Sequence, residues 1–236
     1  MLKRHPHPRA RLLCFPHAGG AASFFQSWAE LVPDGVELIA VRYPGREDRL
    51  LDPPAGTMDQ LAEPLARACS ALLDTPLVLF GHSMGAAVAY EVALRMSADP
   101  AATPAALFVS GRGGPGHQES TTAAVSDAEL IEELALLGGP GAQAFEIPEL
   151  RDLVLPGIRA DYRLLESYQA ALPGSRLNMP VVAYYGTGEE DLSEVSVGAW
   201  SAVTRSFALR TFDGGHFYLV DQAPALVADL FSRIGV

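Results

Sequence analysis

Apolar positions along the chain repeat with two different periods. Short, almost wholly apolar runs bounded by Gly, Pro or charge recur at 11–15, 36–42, 76–80, 105–111, 179–186 and 207–212. Runs this short and this apolar predict strands buried on both faces of a sheet. Between them the spacing becomes helical. Residues 57–73 carry apolar side chains at 58, 61, 62, 65, 69, 72 and 73. Pro64 interrupts that stripe and predicts a helix that starts near Glu63 or bends there. The stretch SFFQSWAELV predicts a helix with Ser23 as its N-cap, and 84–97 a largely buried helix. Further helices are expected around 194–204 and 222–234. Strands alternating with helices specify an α/β fold: a mostly parallel central sheet flanked by helices.

The alternation fails between 112 and 178. After a Gly- and Ser/Thr-rich loop, GRGGPGHQESTTAA, comes SDAELIEELALLGG, with Ser126 and Glu129 at capping-box spacing and a glycine stop. Residues 149–171 predict one or two more helices, broken near Pro156 and Gly157. Helices without a strand, placed between two strands of one sheet, read as an insertion (112–178) over one end of a single 1–236 domain. Its apolar positions include Leu130, Ile131, Leu134, Leu137, Leu153, Leu155, Ile158, Leu164 and Leu165. They suit packing with some share in a binding channel, and GRGGPG suits a hinge.

Charge narrows the partners. The 236 residues carry a formal charge of −11, and −15 once the four basic residues of 1–11 are set aside. Such a body is not drawn to nucleic acid or to anionic lipid. No apolar run is long enough to span a bilayer, and the N-terminus lacks the apolar core of a secretory signal. Two cysteines in apolar patterns, Cys14 and Cys69, suit buried thiols in a cytoplasmic protein. The basic N-terminal segment reads as a solvated end or as a partner contact.

The chemistry is concentrated at VLFGHSMGAAVAYEVA, 78–93. Gly81-His82-Ser83-Met84-Gly85 sits between an apolar strand and a small-residue helix, the setting that a nucleophile elbow requires. The serine projects from a bend too tight for side chains two positions away, and the helix N-terminus directs partial positive charge at a developing oxyanion. A serine hydroxyl needs a base. His5 and His7 lie in the N-terminal segment, His17 in the first Gly-rich loop, and His117 in the loop after the fourth strand. The strand geometry turns His82 away from Ser83. His216, in FDGGHFYLV after the last strand, is the candidate base. It fits the Ser–acid–His chain order of α/β-hydrolases. The backbone N–H groups of Ala18 and Met84 are the candidate oxyanion donors.

The stretches CFPHAGGAASFF, RYPGREDRL, LFGHSMGA, FVSGR and GGHFYL, in this order and spacing, resemble the stand-alone type II thioesterases of polyketide synthases and non-ribosomal peptide synthetases. The likeness covers almost the whole chain. It implies an α/β-hydrolase fold with an inserted helical lid. It also implies hydrolysis of acyl groups from the phosphopantetheine arm of acyl or peptidyl carrier proteins, without cofactor or metal. Ser83, His216, Ala18 and Met84 take the family's catalytic positions. The acid position departs from the family's G-D-x-D-P-like run: here Gly186 is followed by Thr187, Gly188, Glu189, Glu190 and Asp191. Counting from Gly186 and back from Trp200 favours Glu189, with Asp191 and then Glu190 as alternatives. Carrier proteins are commonly acidic, so Arg42, Arg46 and Arg49 are candidate carrier contacts, or else members of internal ion pairs. A monomer is expected. A small-ester carboxylesterase or lipase and a non-catalytic carrier-binding scaffold are the competing readings.

Overall fold

The computed structural model describes residues 1–117, 126–139, 145–170 and 177–235. Six strands, all parallel, form one sheet: β1 (Ala10–Phe15), β2 (Val36–Ala40), β3 (Leu77–His82), β4 (Ala106–Ser110), β5 (Val181–Gly186) and β6 (Phe207–Phe212). Their order is β2-β1-β3-β4-β5-β6. The chain steps outward from β1 to β2, then returns to the other side of β1 for β3. The direction of winding therefore reverses between β1 and β3. The loops leaving those two strands diverge, opening a crevice at their carboxyl ends.

Period-two alternation explains the two cores. Leu13, Phe15, Leu77 and Leu79 point to one face, while Leu12, Cys14, Val78 and Phe80 point to the other. Each fully buried Leu or Phe stabilises the fold by about 1.5–3 kcal/mol. The first face is covered by α1 (Met58–Cys69) and α2 (Met84–Met96), the second by the 22–30 segment, α6 (Tyr218–Asp221) and α7 (Ala223–Ile234). Cys69 and Cys14 are free, buried and on opposite faces. Burial raises both thiols, Cys69 to about 12.

Local differences from the sequence reading have physical causes. Pro64 lies inside α1, which begins earlier, at Met58, because Thr57 caps it by accepting from the Gln60 N–H at 3.2 Å. The 22–30 segment is a 3-10 helix without a Ser23 cap; the Glu47 carboxylate takes the N–H groups of Ala22 and Ser23 instead. The first residues are not a loose end. Leu2 and Lys3 donate to Leu38 O, Lys3 Nζ reaches Val32 O at 2.9 Å, and Arg11 pairs with Glu37 and Asp74. They cover the edge strand β2, which would otherwise offer unpaired backbone.

Among the described residues two helices lie between β4 and β5: α3 (Asp127–Leu136), with the Ser126–Glu129 capping box in place, and α4 (Pro148–Ser167). α4 is one helix through Pro156, not two. Leu130, Leu155, Ile158 and Tyr162 form a small core between α3 and α4 that reaches Ala18 in the loop after β1. Leu164 and Leu165 join the main core. Gly111–Pro115 are buried, and a Cβ on Gly114 would meet Trp200 N at 2.4 Å, so this stretch is packed rather than a loose hinge. Positions 118–124 of the expected loop, and 171 at the end of the expected helix, lie outside the described residues. A short helix α5 (Glu194–Gly198), continued by a 3-10 turn at Ala199–Val203, precedes β6.

Candidate active site

β3 ends in a bend. Ser83 has φ 55° and ψ −118°, a conformation that costs a residue with a Cβ on the order of 1–3 kcal/mol. The surroundings enforce it: the Ser83 N–H donates to Ser110 O at 2.8 Å, and Ala86 N–H donates to Ser83 O at 3.0 Å. Both flanking glycines are required by close approach. A Cβ on Gly81 would lie 2.1 Å from Gly85 O, and one on Gly85 would lie 1.9 Å from Phe15 O. The elbow is thus wedged against β1, and Ser83, partly exposed, is carried over the crevice. Met84 is the first residue of α2, so its N–H has no acceptor within the helix and faces the bend.

His216 and Glu189 come from the loops after β6 and β5. Two backbone bonds stitch those loops together, Thr187 N–H to Phe212 O at 2.8 Å and Gly188 N–H to Gly214 O at 2.8 Å, and Glu189 N–H to Gly186 O at 3.2 Å closes a turn within the first loop. This brings Glu189 Oε1 into hydrogen-bond contact with His216 Nδ1, both side chains being buried. Glu190 and Asp191 are exposed. A carboxylate accepts, so Nδ1 carries the proton and Nε2 is left as the basic nitrogen.

Ser83 and His216 line one cavity of about 220 Å³, with His17, Ala18, Gly19 and Phe217 from the sheet side and Leu134, Leu137, Val154, Ile158 and Tyr162 from α3, α4 and the residues beside them. A second, more polar cavity of about 300 Å³ also meets Ala18, Ser83 and His216, and is bounded by Arg112, Glu133, Glu189 and Asp191. Ser83 and His216 therefore lie between an apolar chamber and a polar one. No group of side chains suited to a metal ion occurs among the described residues.

Two more imidazoles adjoin His216. His82 is fully buried; its Nδ1 meets Ser110 Oγ at 3.0 Å, Ser110 Oγ meets Tyr218 OH at 2.6 Å, and its ring lies 4.8 Å from that of His216. His17 sits between the rings of Phe24 and Phe217, each 4.8 Å away. Burial, then the neighbouring His216, pushes His17 down to about 3 and His82 well below the usual range. Both stay neutral, so neither repels a charged His216.

The model of the "Thioesterase domain" family matches residues 10–234. The chain belongs to the thioesterase family. It is 36% identical to "Thioesterase PikA5" of Streptomyces venezuelae over 98% of this chain and 83% of that one. Among solved structures it is similar to the type II thioesterase BorB from the borrelidin biosynthetic cluster, with a TM-score of 0.88 and 38% identity over 98% of this chain and 94% of that one. RedJ, the thioesterase from the prodiginine pathway in Streptomyces coelicolor, gives a TM-score of 0.88 at 36% identity, covering 98% and 87%. The fold is accordingly the α/β-hydrolase fold, and the resemblance drawn from RYPGREDRL and GGHFYL holds at the level of family.

The arginines of the thioesterase divide. Arg46 is largely enclosed in a pair with Asp161 of α4, both Asp161 oxygens lying 2.8 Å from its Nη2, which is the internal-pair alternative for this residue, with a partner the sequence did not point to. Arg42 and Arg49 are nearly half exposed, but pair with Asp48 and Asp52. Sequence reasoning missed Asp161 altogether. Its one signal was an acidic residue on the apolar side of a helix, three positions after Ile158.

Proposed function

We propose that this thioesterase releases acyl groups from the phosphopantetheine arm of acyl or peptidyl carrier proteins by a serine acyl-enzyme route. It would thereby clear stalled or aberrant intermediates in polyketide or non-ribosomal peptide synthesis. The observation that carries the reading is the convergence of Ser83 and His216 on one cavity, with Glu189 bonded to His216 Nδ1. Nε2 of His216 takes the Ser83 proton as Oγ attacks the thioester carbonyl, and Glu189 stabilises the resulting imidazolium. The Ala18 and Met84 N–H groups hold the oxyanion, and the α2 N-terminus adds its field. The thiol leaves with the proton that His216 returns. Water, deprotonated by the same nitrogen, then releases the acid and restores Ser83.

In this reading residues 112–178 are a lid on a single domain, and the acyl group occupies the chamber between Leu134, Leu137, Val154 and Ile158. The carrier meets the rim, where Arg42 and Arg49 remain candidate contacts. The thioesterase works in the cytoplasm as a monomer and without a cofactor; no described helix is long and apolar enough to cross a membrane. The test compares matched acyl-pantetheine thioesters, acyl-carrier thioesters and oxygen esters. Preference for thioesters, strongest on the carrier, supports the proposal. Preference for oxygen esters favours a carboxylesterase, and turnover of none favours a carrier-binding scaffold.

A further inference from the structure

Asp161 and Arg46 make a second set of contacts that the reaction does not itself use. Asp161 lies on α4 and is buried, yet its Oδ2 accepts the Gly19 N–H at 2.8 Å, in the loop after β1. Both its oxygens also take Arg46 Nη2, while Arg46 Nη1 donates to Gly20 O at 3.0 Å. The same 43–47 stretch holds the loop at two other points. Tyr43 OH donates to Pro16 O at 3.2 Å, and the Glu47 carboxylate takes the N–H groups of Ala22 and Ser23. Ala18 is thus enclosed by anchors at 16, 19, 20, 22 and 23. The anchor at Gly19 is the one that comes from α4, which also presses Ile158 against Gly19: a Cβ there would lie 2.6 Å from Ile158 Cγ1.

A buried ion pair is a poor stabiliser, because desolvating two charges offsets most of their attraction. Here the pair also binds a backbone N–H and a backbone carbonyl beside a donor whose placement within a few tenths of an ångström decides its catalytic worth. We propose that Asp161 and Arg46 are positioning residues that fix the Ala18 N–H for the oxyanion, so that the oxyanion site is complete only while α4 is docked on the loop. The inference rests on the reading of Ala18 and Ser83 given above. It adds that seating α4 over substrate and completing the oxyanion site are one event.

The experiment uses the full chain and three variants: Asp161→Asn, Arg46→Lys and the doubly uncharged Arg46→Met/Asp161→Leu. The double variant removes both buried charges, so a loss that persists in it does not come from an unpaired charge. Kinetics are read on an acyl-pantetheine thioester. Inhibition is read with its trifluoromethyl ketone analogue, which forms a tetrahedral adduct on serine, and with its amide analogue, which does not. Each variant is expected to lose roughly 10-fold to 100-fold in kcat with KM within about two-fold, short of the roughly 10²–10³-fold that deleting an oxyanion donor costs, because the donor is displaced rather than removed. Affinity for the ketone should fall in parallel while affinity for the amide holds. Amide hydrogen exchange over 14–25 should quicken in Asp161→Asn. Unchanged kcat, or a loss confined to KM, overturns the proposal. If the wild type hydrolyses no thioester, the functional reading fails, and exchange still decides the link: protection over 14–25 that Asp161→Asn leaves unchanged overturns it.

Discussion

Glu189 and His216 stand 27 residues apart in the chain and share one hydrogen bond, Nδ1–H to Oε1. The contact exists because the loops after β5 and β6 are stitched through Thr187 and Gly188 to Phe212 and Gly214. A glutamate reaches one methylene farther than an aspartate, which suits a loop held at that distance. Glu189→Gln should lower kcat by about 10³–10⁴-fold, because an amide favours the wrong tautomer of the imidazole. Asp191→Asn, at an exposed position, should change it less than about three-fold. Steady-state kinetics on one acyl-pantetheine thioester separates them; equal effects would remove Glu189 from the reaction.

Buried histidines make stability depend on pH. His17 is depressed to about 3 and His82 well below its usual value, whereas the unfolded chain protonates both near pH 6.5. Below that pH the unfolded state binds more protons, so stability is full above it and declines as pH falls. Between pH 7 and pH 5 His17 alone should withdraw up to about 2 kcal/mol, with His82 adding to it. The lowered carboxylates Glu37 and Asp229 act only below their ordinary values of 4.5 and 3.8, outside that window. Urea midpoints measured from pH 7 to 5 should fall steadily. A flat profile would mean that the rings are not held neutral.

Glycine at the elbow is a matter of space. Gly85→Ala places a carbon 1.9 Å from Phe15 O and should cost roughly 4 kcal/mol or abolish folding. Gly198→Ala, in α5 with nothing within 4 Å of the added carbon, should instead stabilise by about 0.5–1 kcal/mol. Thermal or urea unfolding reads both, and equal effects would show that contact with β1 does not set the requirement.

Chamber size should set chain length. Val154→Phe projects into the cavity lined by Leu134, Leu137 and Ile158. It should reduce kcat/KM for a hexanoyl thioester by about 10-fold or more relative to the acetyl one, the scale of one or two methylenes in an apolar pocket. An unchanged ratio would place the acyl group elsewhere.

The sequence carried the elements whose signals are local. The six strands are short apolar runs, the elbow is a five-residue motif inside a strand–helix junction, and His216 is marked by its place after β6. What it did not carry depends on contacts between distant segments. Pro64 is tolerated inside α1, and Glu47 replaces the expected Ser23 cap from 24 and 25 residues away. Arg46 looks like a surface residue until Asp161, 115 residues later, is folded against it. The three carboxylates at 189–191 stand adjacent in sequence, and only the bonds between two loops single out Glu189.

The most direct test of the account is covalent. A serine-directed phosphonate, followed by peptide mass spectrometry, should label Ser83 alone. Labelling and thioester hydrolysis should vanish together in Ser83→Ala, with the unfolding midpoint of the protein retained. Near-wild-type turnover by Ser83→Ala, or a label on another residue, would contradict it.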